Sequence, residues 1–217
     1  MSKSVFATSK WSLKKNKLAV LMPVRDHMHS ASAKCLAELV KLNTMNGLET
    51  HVVMDASTVL LTQRERLALE AQEIGAEYML WLDSDMVFPA TTALRLLAHN
   101  EPIVAANYVR RQLPAKGVAY EKIGDWVNPL PFEQRNELVP VEGIGMGCML
   151  VKTSILDQIP QPWFEFSWTP ESNDWLGEDM NFCQKMTNAG YTVKVDTALS
   201  MEMRHLGTWA FGPDLID

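Results

Sequence analysis

The chain has 217 residues, of which 47% are hydrophobic and 21% are charged, a composition that suits one well-buried globular core. A formal net charge of −6 argues against broad binding to nucleic-acid phosphates, because proteins of that class concentrate Lys and Arg on one face. The three scattered cysteines, and the lack of any apolar run near the roughly 18 to 20 residues that span a bilayer, predict a cytoplasmic protein without a transmembrane segment.

Apolar, β-branched runs alternate with segments of helical periodicity through the first half of the chain, as in the βαβ units that build a mostly parallel sheet. A basic tail at residues 1–16 precedes them. Gly75 is expected to end the second helix in the left-handed conformation. In chain order, the predicted elements are a strand at 17–24, a helix at 30–42, a strand at 50–54, a helix at 61–74, a strand at 78–82, a helix at 91–99 and a strand at 103–107.

This alternation breaks down in the second half. Residues 109–140 contain four prolines among polar and aromatic residues, which predicts irregular loops with room for one antiparallel edge pair. A glycine-containing strand is expected within 143–151. Residues 160–177 are rich in Trp, Phe and Pro, which is typical of a functional loop. A helix at 179–189 and a strand at 191–195 follow, and the whole chain is predicted to form a single domain.

Two carboxylates come directly after the apolar strand at 78–82, in the sequence Asp83-Ser84-Asp85. The carboxyl ends of strands are where open α/β sheets bind ligands. Close carboxylates repel one another unless a cation lies between them, and the hard ions Mg²⁺ and Mn²⁺ prefer oxygen ligands. The pattern predicts a site for Mn²⁺ or Mg²⁺ that bridges to a diphosphate, although the same residues would also suit a capped turn.

The run Arg64-Glu65-Arg66-Leu67, followed by GAEYMLWLDSDM at 75–86, resembles the helix–strand–DxD segment of GT-A glycosyltransferases, especially small family-2-like ones. The resemblance implies a Rossmann-like α/β fold with a mostly parallel sheet flanked by helices and a smaller antiparallel portion. It also implies a nucleotide diphosphate-sugar donor, such as a UDP- or GDP-sugar. Residues 17–108 would then form the nucleotide-binding half, and residues 109–217 the half that holds donor sugar and acceptor.

Roles for the first group of site residues follow from this resemblance. Asp83 is expected to contact the nucleotide ribose and to approach the metal, Asp85 to bind the metal, and Ser84 to lie beside the donor. Arg64 is expected to face the nucleotide, with Arg66 as a less favoured substitute. Glu65 departs from the family, in which many members have Asn after the arginine.

The ends of the first two strands match positions where relatives cradle the nucleotide. Pro23, Arg25 and Asp26 are therefore expected to contact it, and Asp55 to meet the base. A surface turn is an equally good interpretation of Arg25 and Asp26.

The sequence Gly143-Ile144-Gly145-Met146-Gly147 resembles the family's glycine-containing strand beside the donor sugar, where glycine permits close backbone approach. Gly145 and Gly147 are the expected contacts. A purely structural bulge is the alternative. The spacing fits neither a dinucleotide fingerprint nor a P-loop.

Gly177-Glu178-Asp179 opens a predicted helix and resembles the family's Glu-Asp motif, in which the Asp faces the acceptor hydroxyl. A carboxylate within hydrogen-bond reach can remove the hydroxyl proton during transfer, so Asp179 is the expected base of an inverting reaction, with Glu178 beside it. The two acids could instead only favour the positive end of the helix. Trp175 is the favoured stacking residue, since most aromatics of the loop are expected in the core.

His205, in Met203-Arg204-His205-Leu206-Gly207, corresponds to a histidine that often completes the metal site in relatives. A single histidine is more often structural, and His27 and His29 form a rival pair of histidines. The sequence therefore predicts a metal-dependent glycosyltransferase whose acceptor, a glycan, lipid or protein, is not identified. A sugar-phosphate nucleotidyltransferase and a non-catalytic nucleotide- or glycan-binding module are the alternatives.

Overall fold

The computed structural model describes residues 16–123, 126–135, 137–170, 173–207 and 210–216. The predicted tail at 1–16 lies outside the described residues except for residue 16. Five α-helices occur in this part of the chain: α1 (Ser30–Met45), α2 (Leu60–Ile74), α3 (Thr92–Ala98), α4 (Glu178–Asn188) and α5 (Thr197–Ser200). Two short 3₁₀ helices lie at Thr153–Gln158 and Pro213–Leu215.

Fifteen strands are described, most of them short. They are β1 (Lys17–Val24), β2 (Glu49–Ala56), β3 (Tyr78–Leu82), β4 (Met86–Val87), β5 (Ile103–Ala105), β6 (Ala119–Ile123), β7 (Trp126–Pro129), β8 (Val139–Val141), β9 (Gly143–Ile144), β10 (Cys148–Lys152), β11 (Ser167–Thr169), β12 (Asp174–Leu176), β13 (Val193–Val195), β14 (Arg204–Leu206) and β15 (Ala210–Phe211).

A seven-stranded sheet in the order β2-β1-β3-β10-β5-β13-β8 forms the centre of the fold. The strands β2, β1, β3, β5 and β13 run in one direction, and β10 and β8 run against them. All five residues of β3 are buried, as expected for a strand covered on both faces. The predicted mostly parallel α/β sheet with a smaller antiparallel portion is confirmed.

Helices flank this sheet. Helix α2 packs on β1 and β2, α4 packs on β13 and β9, and α1 contacts α3. Gly75 ends α2 at φ 70°, ψ 37°, the left-handed cap that the sequence predicts. None of the helices described is long and apolar enough to cross a membrane.

Strand β10 is inserted antiparallel between β3 and β5, with Cys148 opposite Leu82. This pairing brings the glycines before β10 to the point where β3 ends. Three smaller sheets surround the same edge: the hairpin β11-β12, the sheet β15-β14-β4 and the sheet β7-β6-β9. Residues 109–140, predicted to be mainly irregular, thus include the pair β6-β7 and the edge strand β8.

The side chain of Asp196 links the end of α3 to the start of α5. Its Oδ1 accepts the backbone N–H of Leu199 at 2.8 Å, which caps α5, and its Oδ2 lies 3.0 Å from Nε2 of His99. Burial alone would raise the pKa of Asp196, but the hydrogen bonds from His99 and Leu199 and the charge of Arg95 lower it below its ordinary value. This network is structural.

Candidate functional site

Asp83 and Asp85 leave the sheet where β3 ends. The backbone N–H of Asp83 donates to the carbonyl of Gly147 at 3.3 Å, so the chain before β10 lies beside the acidic turn. Strand β4 follows at once and pairs with β14, with Met86 opposite His205. This short pairing is what brings a histidine from the end of the chain to Asp85.

Asp85 lies between two basic side chains. Its Oδ2 is 2.8 Å from Nη1 of Arg111, and its Oδ1 is 3.4 Å from Nε2 of His205. Burial alone would raise the pKa of Asp85, but the hydrogen bond and charge of His205, together with the charge of Arg111, lower it. Asp85 is therefore an ionised carboxylate at neutral pH.

The ring of His205 is held in one orientation. Its Nδ1 lies 3.0 Å from the carbonyl oxygen of Val109, which can only accept, so Nδ1 carries a proton. The Tyr108 ring packs edge-on against the imidazole at a centroid distance of 5.4 Å. In the neutral ring Nε2 then presents a lone pair to the Asp85 carboxylate. Two acceptors face each other at this point unless a proton or a metal ion lies between them.

This donor set fits a divalent cation. A metal-binding histidine usually donates its other N–H to a carbonyl or carboxylate, as His205 does to Val109. Among the described residues there is no group of three or more His, Cys, Asp or Glu arranged to hold a metal ion. Asp85 and His205 could supply two ligands to an ion such as Mg²⁺ or Mn²⁺, which commonly takes its remaining ligands from substrate phosphates and water; binding of a metal ion here stays a prediction.

Arg64 is a buried cation between two carboxylates. Its Nη2 lies 3.8 Å from Oδ1 of Asp83, and its Nη1 lies 3.3 Å from Oε1 of Glu178. Its exposed fraction is 3%, and its Nε and Nη1 have no hydrogen-bond partner among the described residues. The contact of Nη1 with Glu178 is thus an ion pair without hydrogen-bond geometry, and the Nε atom is buried away from solvent.

Both partners of Arg64 are hard to ionise. Burial raises the pKa of Asp83, against the lowering effect of the Arg64 charge, and the charges of Asp85 and Asp179 raise it further. The pKa of Glu178 is raised for the same reasons, first by burial and then by its acidic neighbours. Burial is the main cause of both shifts, and the charge of Arg64 only partly opposes it.

Asp179 lies on the wall of an open groove of about 780 Å³ between α4 and the hairpins β11-β12 and β6-β7. One of its carboxylate oxygens, Oδ1, accepts the backbone N–H of Met180 at 2.7 Å. A Cβ at Gly177 would lie 2.8 Å from this same oxygen, so glycine is required for this position of the carboxylate. The groove is also lined by Arg110, Tyr120, Glu142, Trp175, Gln184 and Asn188.

The aromatic side chains of residues 160–177 lie partly in the core and partly on the surface. Trp163 and Phe164 are buried, as expected for most of the stretch. Phe166, Trp168 and Trp175 are exposed, and the rings of Trp168 and Trp175 pack edge-on at a centroid distance of 5.4 Å across β11-β12. Trp175 is 63% exposed and borders the groove that contains Asp179.

Gly145 and Gly147 make room for Tyr108. A Cβ at Gly145 would lie 2.5 Å from the Tyr108 hydroxyl, and one at Gly147 would lie 2.7 Å from Cζ of the ring. The N–H of Gly147 donates to that hydroxyl at 3.0 Å. Burial raises the pKa of Tyr108 well above its ordinary value. The structure thus gives a packing reason for both glycines, and their contact with a donor stays a prediction.

The ends of β1 and β2 are tied together by Gln63. Pro23 and Asp55 are opposite each other in the sheet, and Nε2 of Gln63 donates to the carbonyls of Val24 and Asp55, each at 2.7 Å. Arg66 lies 3.6 Å from the Asp55 carboxylate. The two arginines of α2 therefore face different carboxylates, with Arg64 inside and Arg66 outside.

The loop after β1 is exposed. Arg25 and Asp26 form an ion pair with each other at 3.5 Å, and both side chains are largely open to solvent. The N–H of His29 donates to the carbonyl of Ser84 at 3.3 Å, which ties this loop to the acidic turn. His27 is exposed. Contact of these residues with a nucleotide stays a prediction.

No protein-family model and no curated protein sequence matches the chain significantly. Among solved structures, it is similar to A197 from STIV, with a TM-score of 0.59, 20% identity, and coverage of 92% of this chain and 91% of that one. The match to S. aureus TarS 1-349 has a TM-score of 0.45 and 14% identity, and covers 82% of this chain and 57% of that one. A glycosyltransferase involved in glycosylation of the major capsid of PBCV-1 matches with a TM-score of 0.35 and 16% identity, covering 64% and 62%. The similarity to A197 supports the predicted GT-A-like fold. The other two matches are too weak to add to it, and a fold alone does not assign a reaction.

Three side chains of this site are not among the residues that the sequence predicts. Arg111 contacts Asp85, Tyr108 supports His205 and the glycines, and Gln63 joins the ends of two strands. Arg111 and Tyr108 flank a break in the βα alternation, where no periodicity indicates burial. Gln63 follows the helical pattern of α2, and its proximity to Arg64 was the one signal that could have singled it out.

Proposed function

We propose that this chain is a metal-dependent glycosyltransferase that moves a sugar from a nucleotide diphosphate-sugar to an acceptor hydroxyl. The observation that carries the proposal is the combination, at one edge of the sheet, of the Asp85–His205 pair with the buried cation of Arg64 beside Asp83. An acid at the adjacent groove, Asp179, supplies the group that such a transfer needs on the acceptor side.

The donor side of the reaction requires positive charge. Breaking the bond between sugar and diphosphate leaves negative charge on the departing phosphate oxygens, and fixed cations aimed at those oxygens lower the barrier. Asp85 and His205 would hold Mn²⁺ or Mg²⁺, which supplies Lewis-acid stabilisation of that charge when bound. Arg64 supplies a second, permanent positive charge and keeps Asp83 in place at the end of β3.

The acceptor side requires a base. In the proposed reaction Asp179 takes the proton from the acceptor hydroxyl as that oxygen attacks the anomeric carbon, and the sugar–phosphate bond breaks on the opposite side. This course inverts the anomeric configuration. Glu178 is engaged with Arg64 at 3.3 Å, so its part is to hold the arginine, while Asp179 faces the groove.

An acceptor sugar suits the groove because an exposed indole presents a flat apolar face to sugar C–H groups. Trp175 lies on the rim of the groove and Asp179 on its wall. The uncharged side chains of Gln184 and Asn188 on α4 face the same space and can hydrogen-bond to hydroxyl groups.

The products formed from a panel of UDP-, GDP-, CDP- and dTDP-sugars, with Mn²⁺ and with a chelator, test this proposal. Release of nucleoside diphosphate that depends on Mn²⁺ is the expected result. Pyrophosphate formed from a nucleoside triphosphate and a sugar phosphate would instead indicate a nucleotidyltransferase. Binding of a nucleotide sugar without any cleavage would indicate a binding module.

A further inference from the structure

We propose that Arg111 is a built-in counter-ion of Asp85 that yields this carboxylate to the divalent cation and then binds the donor's diphosphate. The inference rests on the proposed function, since it concerns the same carboxylate. It adds a residue that neither the motif nor the fold assigns, and it makes the cation and the guanidinium competitors for one side chain.

Each oxygen of Asp85 has a different basic neighbour. Nη1 of Arg111 is 2.8 Å from Oδ2, a hydrogen-bonded ion pair, whereas Nε2 of His205 is 3.4 Å from Oδ1. A guanidinium at 2.8 Å and a divalent ion on the same carboxylate would place like charges next to each other. The two cations repel each other even when the metal ion lies at Oδ1, beside His205, so a bound metal ion weakens the Arg111 contact and the Arg111 contact weakens binding of the metal ion.

The two basic neighbours differ in how firmly they are held. His205 is fixed by Val109, packs against Tyr108 and has only 13% of its side chain exposed. The Arg111 side chain is 51% exposed, and Asp85 is its only ion-pair partner in the described residues. Since an exposed ion pair is weak, Arg111 is the neighbour that can leave.

The backbone around Arg111 allows this movement without disturbing the site. The loop is closed at its base by the bridge between Val109 and Gly117 and by the N–H of Arg110 donating to Lys116 at 2.8 Å. Residues 110–114 beyond this base are exposed. A change in the side chain or tip of the loop therefore leaves Tyr108 and His205 in place.

A released guanidinium would find a suitable partner nearby. A metal ion bound at Asp85 draws the donor's diphosphate to the same place, and the planar guanidinium matches phosphate oxygens with paired N–H donors. Arg111 would thus neutralise Asp85 before the donor arrives and the diphosphate afterwards. The acidic edge is never left without a cation.

Titration calorimetry with Mn²⁺ alone tests the first half. We expect Arg111→Gln to bind Mn²⁺ roughly threefold to tenfold more tightly than the parent chain, the effect of removing a competing exposed ion pair. Lys116→Gln removes a positive charge from the same loop but no ion pair of the described residues, so its affinity should stay near the parent value. Equal or weaker Mn²⁺ binding by Arg111→Gln, or an equal gain in Lys116→Gln, would overturn the proposal.

Binding of UDP and GDP in saturating Mn²⁺ tests the second half. Arg111→Gln should bind whichever nucleotide the parent binds roughly threefold to tenfold more weakly, the opposite sign to its effect on Mn²⁺. An unchanged nucleotide affinity overturns the transfer of Arg111 to the diphosphate. Asp85→Asn separates the two proposals. If this variant still binds Mn²⁺ like the parent, the proposed metal site is wrong. If Asp85→Asn loses Mn²⁺ binding but Arg111→Gln shows no gain in Mn²⁺ affinity, only the role of Arg111 is refuted.

Discussion

Arg64 sets the charge state of the acidic side chains around it. It is buried and lies within 4 Å of both Asp83 and Glu178, yet burial still raises the pKa of each carboxyl. A single guanidinium therefore does not fully compensate the acids at this edge. Burying these carboxyls is costly for folding, and perturbed pKa values of this kind cluster at functional sites.

The raised pKa of Asp83 predicts a stabilising substitution. Because the folded chain binds the Asp83 proton more tightly than the unfolded chain, its free energy of unfolding falls as pH rises from the unfolded pKa near 4 through the raised folded value. Asp83→Asn removes this cost at neutral pH. We expect its thermal midpoint, followed by circular dichroism near pH 7, to rise by about 2 to 4 °C, or about 1 kcal/mol.

The pH dependence of the gain in stability shows whether it comes from the Asp83 carboxyl. The gain should shrink as pH falls through the folded pKa and should vanish below the unfolded pKa near 4, where the Asp83 carboxyl is protonated in both the folded and the unfolded chain. Asp157→Asn, at an exposed carboxylate on the 3₁₀ helix, is the matched control and should leave the midpoint unchanged. A neutral-pH gain that persists at low pH would contradict the explanation.

Asp179 is the residue whose loss should affect chemistry most and folding least. We expect Asp179→Asn to lower kcat about 10²- to 10⁴-fold with little change in the KM for the donor, because a general base acts in the transition state. Steady-state release of nucleoside diphosphate measures both constants. A variant that keeps parental kcat would remove Asp179 from the reaction.

Gly177→Ala provides an independent check on the same carboxylate. Its added Cβ would lie 2.8 Å from Oδ1 of Asp179, closer than side chains tolerate, so the carboxylate must move. The expected result is a reduced kcat although Asp179 itself is retained. Unchanged kinetics in Gly177→Ala would mean that the position of this oxygen does not matter.

Among the elements, the hairpin β11-β12 places Trp175 on the rim of the groove. Trp175 is exposed and touches Trp168 across the hairpin. We expect Trp175→Ala to reduce binding to an oligosaccharide array roughly threefold to tenfold through loss of stacking. Hydrolysis of the donor by water should be unaffected.

Phe166→Ala is the control for this effect. Phe166 is exposed to a similar degree but does not line the groove, so array signals should persist. If Trp175→Ala binds the array as the parent does, or if the parent binds no carbohydrate, the groove is not a sugar platform.

The apolar strands at the centre of the main sheet could be predicted from the sequence, and the short strand pairs at its edge could not. Strand β3 has the bounds that the sequence predicts, because five apolar residues in a row, all of them buried, follow the glycine that ends α2. The pair β4-β14, in contrast, involves two and three residues, too few to show a period. His205 was placed beside Asp85 only through a family resemblance, since this pairing had no signal of its own.

At the scale of the whole molecule, the direction of β10 was the main feature that the sequence could not supply. An apolar run indicates a buried strand but not its orientation. Its antiparallel insertion between β3 and β5 is what places Gly147 against Asp83. Arg111 also could not be predicted, because charged residues in an irregular loop are usually solvated, and its contact depends on how the loop folds back over β3.

The fold thus collects the ends of β1, β2 and β3, the turn before β10 and the start of α4 at one edge of the sheet. Similarity to A197 from STIV extends over nearly the whole chain, so this arrangement belongs to the architecture. In the proposed function, the chemistry depends on the individual side chains at that edge: Asp85, His205 and Arg64 for the leaving diphosphate, and Asp179 for the acceptor.

The most direct test of the central claim is the Mn²⁺-dependent rate of nucleoside diphosphate release from the preferred nucleotide sugar, compared between the parent chain and Asp85→Asn. We expect the parent to lose its activity in a chelator and to recover it with Mn²⁺, and Asp85→Asn to fall at least about 10²-fold even in excess Mn²⁺. Parental turnover that survives the chelator, or that Asp85→Asn matches, would contradict a cation held at this carboxylate.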